Sequence, residues 1–208
     1  MRSATTCVRS VPSGDPGRVR TADDDHLAAL VRQPWTLRVG QHPLTVRPST
    51  ARDLAAVAQM HGRCSARSLL DRYRSGGRPP AVAALDLALR RPYSIVAETP
   101  AGDVVATGSL GHDGIHNPYC VEVGLLVEDR WQRLGIGTEL MSHLAGAAQV
   151  AGYHELIAYP ATAMHAVQRL MIEVGRTRLV PDVDTHLHTY LSESSSLGLG
   201  SVRQRLAG

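Results

Sequence analysis

The segment from Val121 to Leu144 constrains the fold of this chain more than any other. It reads V-E-V-G-L-L-V-E-D-R-W-Q-R-L-G-I-G-T-E-L-M-S-H-L. Its first seven residues are mostly apolar and β-forming, a polar turn follows, and from Ile136 apolar side chains recur at helical spacing. The segment therefore predicts a buried strand that leads through a glycine-rich turn into an amphipathic helix.

This turn has the make-up of an anion-binding site. The free N–H groups of a helix N-terminus point outward with a favourable dipole, and Gly135 and Gly137 let a phosphate approach the backbone without a Cβ in the way. A dinucleotide-binding loop is excluded, because Leu140 stands where its third glycine is required and the strands nearby read as antiparallel. A Walker loop is excluded because all 22 basic residues are arginines and none is a lysine.

Composition excludes further classes of function. Schiff-base chemistry needs an amine nucleophile that the side chains do not offer. The net charge of +3 comes from scattered arginines, so no nucleic-acid partner is expected. Cys7, Cys64 and Cys120 are far apart and lack the spacing of paired ligands, which predicts reduced thiols and a cytoplasmic location. No leader-like or membrane-spanning apolar run is found, so no membrane partner is expected.

The order of patterns along the chain predicts one domain between two polar segments. Residues 1–33 are expected to form a flexible arm, with one short candidate helix at Leu27–Val31, and residues 193–208 form a polar tail. Within residues 34–192 the order is a hairpin, helices, antiparallel strands, and then strand, helix, strand, helix and strands. This order predicts an α/β (α+β) fold, a mixed and mostly antiparallel sheet flanked by helices.

The glycine-rich turn also carries a specific resemblance. Gln132, Gly135 and Gly137, followed by Thr138, fill a Q/R-x-x-G-x-G/A pattern between an antiparallel strand and a helix. In this the chain resembles the GCN5-related N-acetyltransferase (GNAT) superfamily, and the resemblance spans roughly residues 35–191.

Two further segments resemble the family. Leu44–Leu54, which reads L-T-V-R-P-S-T-A-R-D-L, is similar to its opening strand and helix start. Ser65, Ser68 and Arg72 occupy a Ser-x-x-Ser-x-x-x-Arg pattern that is common in the catalytic domain of bacterial protein lysine acetyltransferases.

The resemblance implies acetyl-CoA as co-substrate and no metal. The strand before the loop would pair with the pantetheine arm through the backbones of Leu125, Leu126 and Val127. Beside Gln132, the loop amides would hold the pyrophosphate, and they belong to Arg133, Leu134, Gly135, Ile136, Gly137 and Thr138.

Glu122 lies where many family members carry the glutamate that acts as general base. Period-two geometry puts it on the same face of its strand as Gly124, opposite the apolar side chains. The alternative is an ordinary strand glutamate that faces solvent or pairs with an arginine.

The tyrosine that commonly protonates the departing thiolate is replaced by Met171. The thiolate would then leave unassisted, take a proton from another group such as His165, Tyr159 or Tyr190, or leave slowly.

The function expected from this resemblance is acetyl transfer to an amine by direct attack in a ternary complex. A protein lysine is one acceptor and a small-molecule amine is the alternative. A non-catalytic acyl-CoA-binding regulatory module is a third alternative, and a homodimer is compatible with the sequence. His186 and His188 share a face of the last strand, but no third metal ligand is evident.

Overall fold

The computed structural model describes residues 33–191 apart from positions 75, 92, 113–118, 163 and 182–184. The predicted N-terminal arm, the short helix at Leu27–Val31 and the C-terminal tail lie outside the described residues. The predicted domain boundaries therefore stay predictions.

In the described part of the chain, eight strands form one sheet in the order β1-β2-β3-β4-β5-β6-β8-β7. All neighbours are antiparallel except β5 and β6, which are parallel. The strands are β1 (Trp35–Val39), β2 (His42–Pro48), β3 (Ser94–Glu98), β4 (Val104–His112), β5 (Cys120–Val127), β6 (Glu155–Ala158), β7 (Gly175–Val180) and β8 (His186–Leu191).

Within the described residues, five α-helices cover the two faces of this sheet. They are α1 (Leu54–Arg63), α2 (Ala66–Tyr73), α3 (Val82–Leu89), α4 (Ile136–Val150) and α5 (Met164–Ile172). The mixed α/β fold predicted from the sequence, with a mostly antiparallel sheet flanked by helices, is confirmed. Among the described residues, every helix is too short or too polar to cross a bilayer.

The alternation of side chains along β5 separates two hydrophobic cores. Val121 and Val123 belong to the larger core, which also holds the buried face of α4. Leu126 belongs to a smaller core under α1, α2 and α3. Because successive side chains of a strand point to opposite faces, Glu122 and Gly124 lie on the face that α2 covers.

A capping box and an ion-pair cluster fix the 3₁₀ turn, Ala51–Asp53, that leads into α1. The guanidinium of Arg47 in β2 donates to Asp53 at 2.7 Å and to Glu98 of β3 at 2.6 Å. Asp53 also accepts from the backbone N–H of Thr50. Burial alone would raise the pKa of Asp53, but these hydrogen bonds hold it below its ordinary value of 3.8. The cluster joins β2, β3 and the helical layer.

Candidate functional site

A fork between β5 and β6 creates the candidate site. The two strands pair only from Cys120 to Glu122 on β5, against Glu155 to Ile157 on β6. Beyond Glu122, β5 runs on to Val127 with no β6 partner in the described part of the chain. The edge of β5 that faces β6 is therefore open along its last five residues.

The direction of the backbone groups shows which residues serve this open edge. The N–H of Glu128 donates to the carbonyl oxygen of Val105 in β4 at 2.9 Å, so the backbone groups of the even-numbered residues of this stretch face β4. Residues along a strand alternate in the side to which their N–H and C=O point. Leu125 and Val127 therefore turn their backbone groups to the open edge, whereas those of Leu126 face β4. Of the three residues predicted to pair with an extended amide chain, Leu125 and Val127 turn their backbone groups toward the position of that chain, and Leu126 does not.

The loop after β5 forms a backbone concavity at the start of α4. Arg133 has φ 60° and Gly135, the residue before the helix, has φ 86°. No side chain caps the helix, and its first hydrogen bond runs from the N–H of Glu139 to the carbonyl of Gly135. Left-handed residues that alternate with right-handed ones aim successive N–H groups into one concavity, the geometry that binds phosphate.

The residues of this loop differ in what they expose. Gln132, Arg133, Leu134, Gly135 and Thr138 are exposed, whereas the Ile136 side chain is buried in the main core, so Ile136 offers only its backbone. A Cβ on Gly137 would meet Leu170 at 3.6 Å, an ordinary contact. Packing alone therefore does not require glycine at position 137.

Three polar side chains from the α1–α2 junction hold this loop. Asp129 accepts from the N–H and hydroxyl of Ser65 at 2.8 and 2.7 Å and from the hydroxyl of Ser68 at 3.1 Å. Buried Glu128 pairs with Arg63 at 2.9 Å. The loop is thereby tied to the N-terminus of α2.

Gln132 takes part in the same network. Its amide donates to the Ser68 hydroxyl and to the carbonyl of Val127, both at 3.0 Å. The Gln132 side chain therefore positions the loop and occupies the last carbonyl of the open edge. Direct contact of Gln132 with a cofactor stays a prediction.

Glu122 stands at the apex of the fork. It is the last residue of β5 that pairs with β6, and its pairing partner on β4 is Gly111. Its side chain is half-buried on the face that it shares with Gly124, as the period-two pattern predicts. A carboxylate at the end of an open strand edge is in position to accept a proton from a molecule bound on that face.

Comparison with known proteins identifies the family of this chain. The model of the Acetyltransferase (GNAT) family matches residues 65–173, just over half of the chain. The chain belongs to the GNAT family. The family resemblance inferred from the sequence is confirmed, and the match includes the fork, the loop and α4.

Known relatives agree with this GNAT assignment. Phosphinothricin N-acetyltransferase of Streptomyces viridochromogenes is 29% identical over 121 residues, which are 57% of this chain and 66% of the relative. The chain thus spans just under two thirds of that relative's length.

Two solved structures share the fold at low identity. The GNAT domain of S. lividans PAT has a TM-score of 0.65 and 19% identity, covering 76% of this chain and 97% of that one. A phosphinothricin acetyltransferase from Sinorhizobium meliloti, solved in complex with AcCoA, has a TM-score of 0.57 and 19% identity, covering 72% and 89%.

On the α2 face, the GNAT domain carries polar groups to which sequence reasoning assigned no role. His61 is buried, with Nδ1 2.7 Å from the carbonyl of Val57 and Nε2 2.7 Å from the Tyr73 hydroxyl. A carbonyl only accepts, so Nδ1 carries the proton and Nε2 accepts from Tyr73. Burial lowers the pKa of His61 below 6.5, which keeps the ring neutral. The twelve-residue spacing of this pair gives no local signal.

Met171 packs in the core and does not line the fork. It is completely buried in the main core, beneath α5. Three groups stand as substitutes for the missing tyrosine. His165 is exposed, the ring centroid of Tyr159 lies 5.3 Å from that of His186, and the ring of Tyr190 stacks on that of His188 with centroids 4.8 Å apart. None of these positions identifies a donor for the departing thiolate.

The tertiary structure gives His188 other neighbours than the sequence suggested. Its Nε2 bonds to Glu155 at 2.9 Å, and ligand atoms of Cys120, Glu155 and His188 lie within 4.8 Å of one another. His186 is not part of this group. The expectation that the protein needs no metal stays a prediction.

Proposed function

We propose that this GNAT-family chain transfers the acetyl group of acetyl-CoA to a small-molecule amine by direct attack in a ternary complex. The observation that carries the proposal is the open edge of β5, which ends in the backbone concavity before α4. An amide-rich arm and a pyrophosphate need these two features in this order, an extended backbone edge followed by converging N–H groups.

The cofactor contacts follow from the directions of the backbone groups. The N–H and C=O of Leu125 and the N–H of Val127 would pair with the pantetheine arm. The N–H groups from Arg133 to Thr138 would hold the pyrophosphate. Acetyl-CoA, when bound there, supplies a thioester as acetyl donor.

Glu122 would act as general base on the acceptor side of the fork. The amine nitrogen forms a bond to the thioester carbon while the carbon–sulfur bond breaks, and the amine proton passes to the Glu122 carboxylate directly or through water. CoA leaves as a thiolate. Thiols ionise with a pKa of about 8.5, so departure without a protonating tyrosine is tolerable near neutral pH.

The phosphinothricin N-acetyltransferase relative supports a small-molecule acceptor. Phosphinothricin N-acetyltransferase, 29% identical over the matched region, is named for a small amine. Transfer to a protein lysine is the alternative acceptor class. Because the chain has no lysine, any acetyl-lysine found in an assay with an added peptide comes from that peptide.

The decisive experiment measures release of free CoA from acetyl-CoA over a panel of amino acids, polyamines and lysine peptides. We expect turnover of small amines, and we expect Glu122→Gln to keep acetyl-CoA affinity while kcat at pH 7 falls about 100-fold or more. Glu173→Gln, which neutralises an exposed carboxylate at the end of α5, is the control for charge. Full activity of Glu122→Gln would refute its role, and acetyl-CoA binding without turnover of any amine would leave only a binding module.

A further inference from the structure

Arg72 lies flat against the strand that carries the proposed base. A Cβ built on Gly124 would lie 2.4 Å from Cζ of Arg72 and 2.5 Å from its Nη2. Nη2 donates to the hydroxyl of Ser109, the β4 residue opposite Gly124, at 3.2 Å. Only glycine at position 124 lets the guanidinium approach the sheet this closely.

The charge of Arg72 has no carboxylate partner within the described residues. Its Nε is buried and has no hydrogen-bond partner, and its remaining contacts are Ser109 and the ring of Tyr73, whose centroid lies 5.0 Å away. Other arginines of the described chain do have carboxylate partners, namely Arg47, Arg63, Arg90 and Arg130. A half-buried guanidinium without an anion is costly, and its planar fork matches a carboxylate or phosphorus oxyanion.

Arg72 lines a pocket whose walls include no acidic side chain. The cavity holds about 40 Å³ beneath an open mouth, and neutral His61 and Tyr73 form part of its wall. Its apolar lining comes from Val57, Leu85, Leu89 and Ile95. Within this lining, Arg72 is the one permanently charged group, so the cavity favours an anionic group, and an apolar part of the ligand would lie at its open mouth.

Glu122 lies two residues from Gly124 on the same face. Residues two apart on a strand are about 6.5–7 Å apart. A ligand whose anionic group binds Arg72 would therefore present a group a few bonds away to Glu122. An α-amino acid has this arrangement, whereas a polyamine has no anion and a protein lysine places its amine far from its backbone.

We infer that Arg72 binds the carboxylate or phosphinate of the acceptor, and that the substrates are small amines of the amino-acid type. This inference rests on the proposed acetyl transfer and adds the acceptor class to it. Arg72 is the specificity-determining residue, Ser109 positions it, and Gly124 makes room for it.

The test compares acceptors that differ in charge. L-Leucine and L-leucinamide differ only at the α-carboxylate, and L-phosphinothricin adds a side-chain phosphinate. For Arg72→Gln we expect KM for L-leucine or L-phosphinothricin to rise about 10- to 100-fold, while KM for leucinamide changes less than about threefold. A rise in KM for both acceptors indicates that Arg72 binds the α-carboxylate, and a rise for L-phosphinothricin alone indicates the phosphinate. Arg67→Gln, an exposed arginine of the same helix, is the matched control and should change neither.

Two further measurements separate a binding role from a structural one. Ser109→Ala keeps the charge but frees the guanidinium, and we expect KM for the anionic acceptors alone to rise about three- to tenfold. Acetyl-CoA affinity and melting temperature should stay at the native values in both variants. An equal loss toward leucinamide and leucine, or unchanged selectivity in folded Arg72→Gln and Ser109→Ala, would overturn the inference.

A failure of acetyl transfer itself would look different. If the native protein releases no CoA with any amine, calorimetric binding of L-phosphinothricin to the protein saturated with CoA tests Arg72 independently. Weaker binding by Arg72→Gln than by Arg67→Gln supports the anion subsite even then. Equal binding, or no binding to the native protein, overturns it.

Discussion

Asp129 shows how one carboxylate can hold the loop that we propose binds the pyrophosphate. Burial alone would raise its pKa, but the N–H and hydroxyl of Ser65 and the hydroxyl of Ser68 lower it below 3.8. Its charge is therefore retained at neutral pH although it lies next to the proposed pyrophosphate site. The serines of the Ser-x-x-Ser-x-x-x-Arg pattern stabilise this charge by hydrogen bonding, and the arginine of the same pattern reaches Gly124 one turn later on α2.

Cys64 gives a prediction at the residue scale. Burial, with the nearby charges of Asp129 and Glu128, raises the pKa of its thiol to about 11. The thiolate is the reactive form, so we expect alkylation by iodoacetamide at pH 8 to be more than about 100-fold slower than for an unstructured cysteine peptide. Peptide mapping by mass spectrometry after timed labelling measures this rate. Rapid labelling of Cys64 in the folded protein would contradict the raised pKa.

At the scale of elements, α2 and α4 approach β5 from opposite faces and shape its open edge. The α4 helix buries Ile136, Leu140 and Leu144 in the main core, which fixes where its N-terminus points. The serines that begin α2 fix the loop that precedes α4. The strand, the loop and the helix start thus have little freedom, and the cofactor would meet a site that is already formed.

Gly137 tests this site at the scale of the element. Gly137→Glu places a carboxylate beside the proposed pyrophosphate, and we expect acetyl-CoA binding to be lost by more than about 100-fold through charge repulsion and steric conflict. Gly137→Ala is the control, because its Cβ would make only an ordinary contact with Leu170. Thermal shift and calorimetry with CoA measure both variants. Stabilisation of Gly137→Glu by CoA at native affinity would refute the loop.

At the scale of the whole molecule, buried polar groups tie the layers together. The Arg47 cluster joins β2 and β3 to the start of α1, His61 joins α1 to α2 through Tyr73, and His188 joins β8 to β6 through Glu155. Each of these contacts lies where two elements meet. A change in the protonation of His61 or His188 therefore affects the stability of the whole domain and not one local contact alone.

The lowered pKa values of His61 and His188 predict how the free energy of unfolding depends on pH. Burial lowers the pKa of His61 and of His188 below 6.5, so the unfolded chain binds these protons more readily than the folded chain. Their contribution is fully present above about pH 6.5 and is lost as the pH falls from there through the folded-state pKa values. Urea unfolding between pH 8 and 5.5 should show a declining free energy of unfolding below pH 6.5.

The matched variants locate the source of this slope. Arg72 faces His61 and further disfavours its charged form. His61→Gln should reduce the slope with pH, although it also lowers stability at every pH. Exposed His165→Gln should leave the slope unchanged. A profile that is flat from pH 8 to 5.5, or an identical slope in His61→Gln, would contradict the prediction.

The sequence by itself determined the elements, the family and the glycine-rich loop. Strands, helices and turns follow from side-chain periodicity and from residues with special backbone freedom, and both act over a few positions. The period-two pattern of β5 placed Glu122 and Gly124 on one face, and two glycines marked the turn before α4. These are local properties, and the tertiary structure left them in place.

Only the tertiary structure decided how β5 and β6 diverge, which backbone groups of β5 stay open, and where Arg72 lies. Arg72 and Gly124 are about fifty positions apart, and Cys120 and His188 are farther apart still. No local propensity encodes such contacts, because they arise when strand order and the two cores bring distant segments together. The same packing buried Met171 and tied the Gln132 side chain to Ser68. The proposed acceptor pocket, and with it the expected selectivity, is therefore a product of the fold.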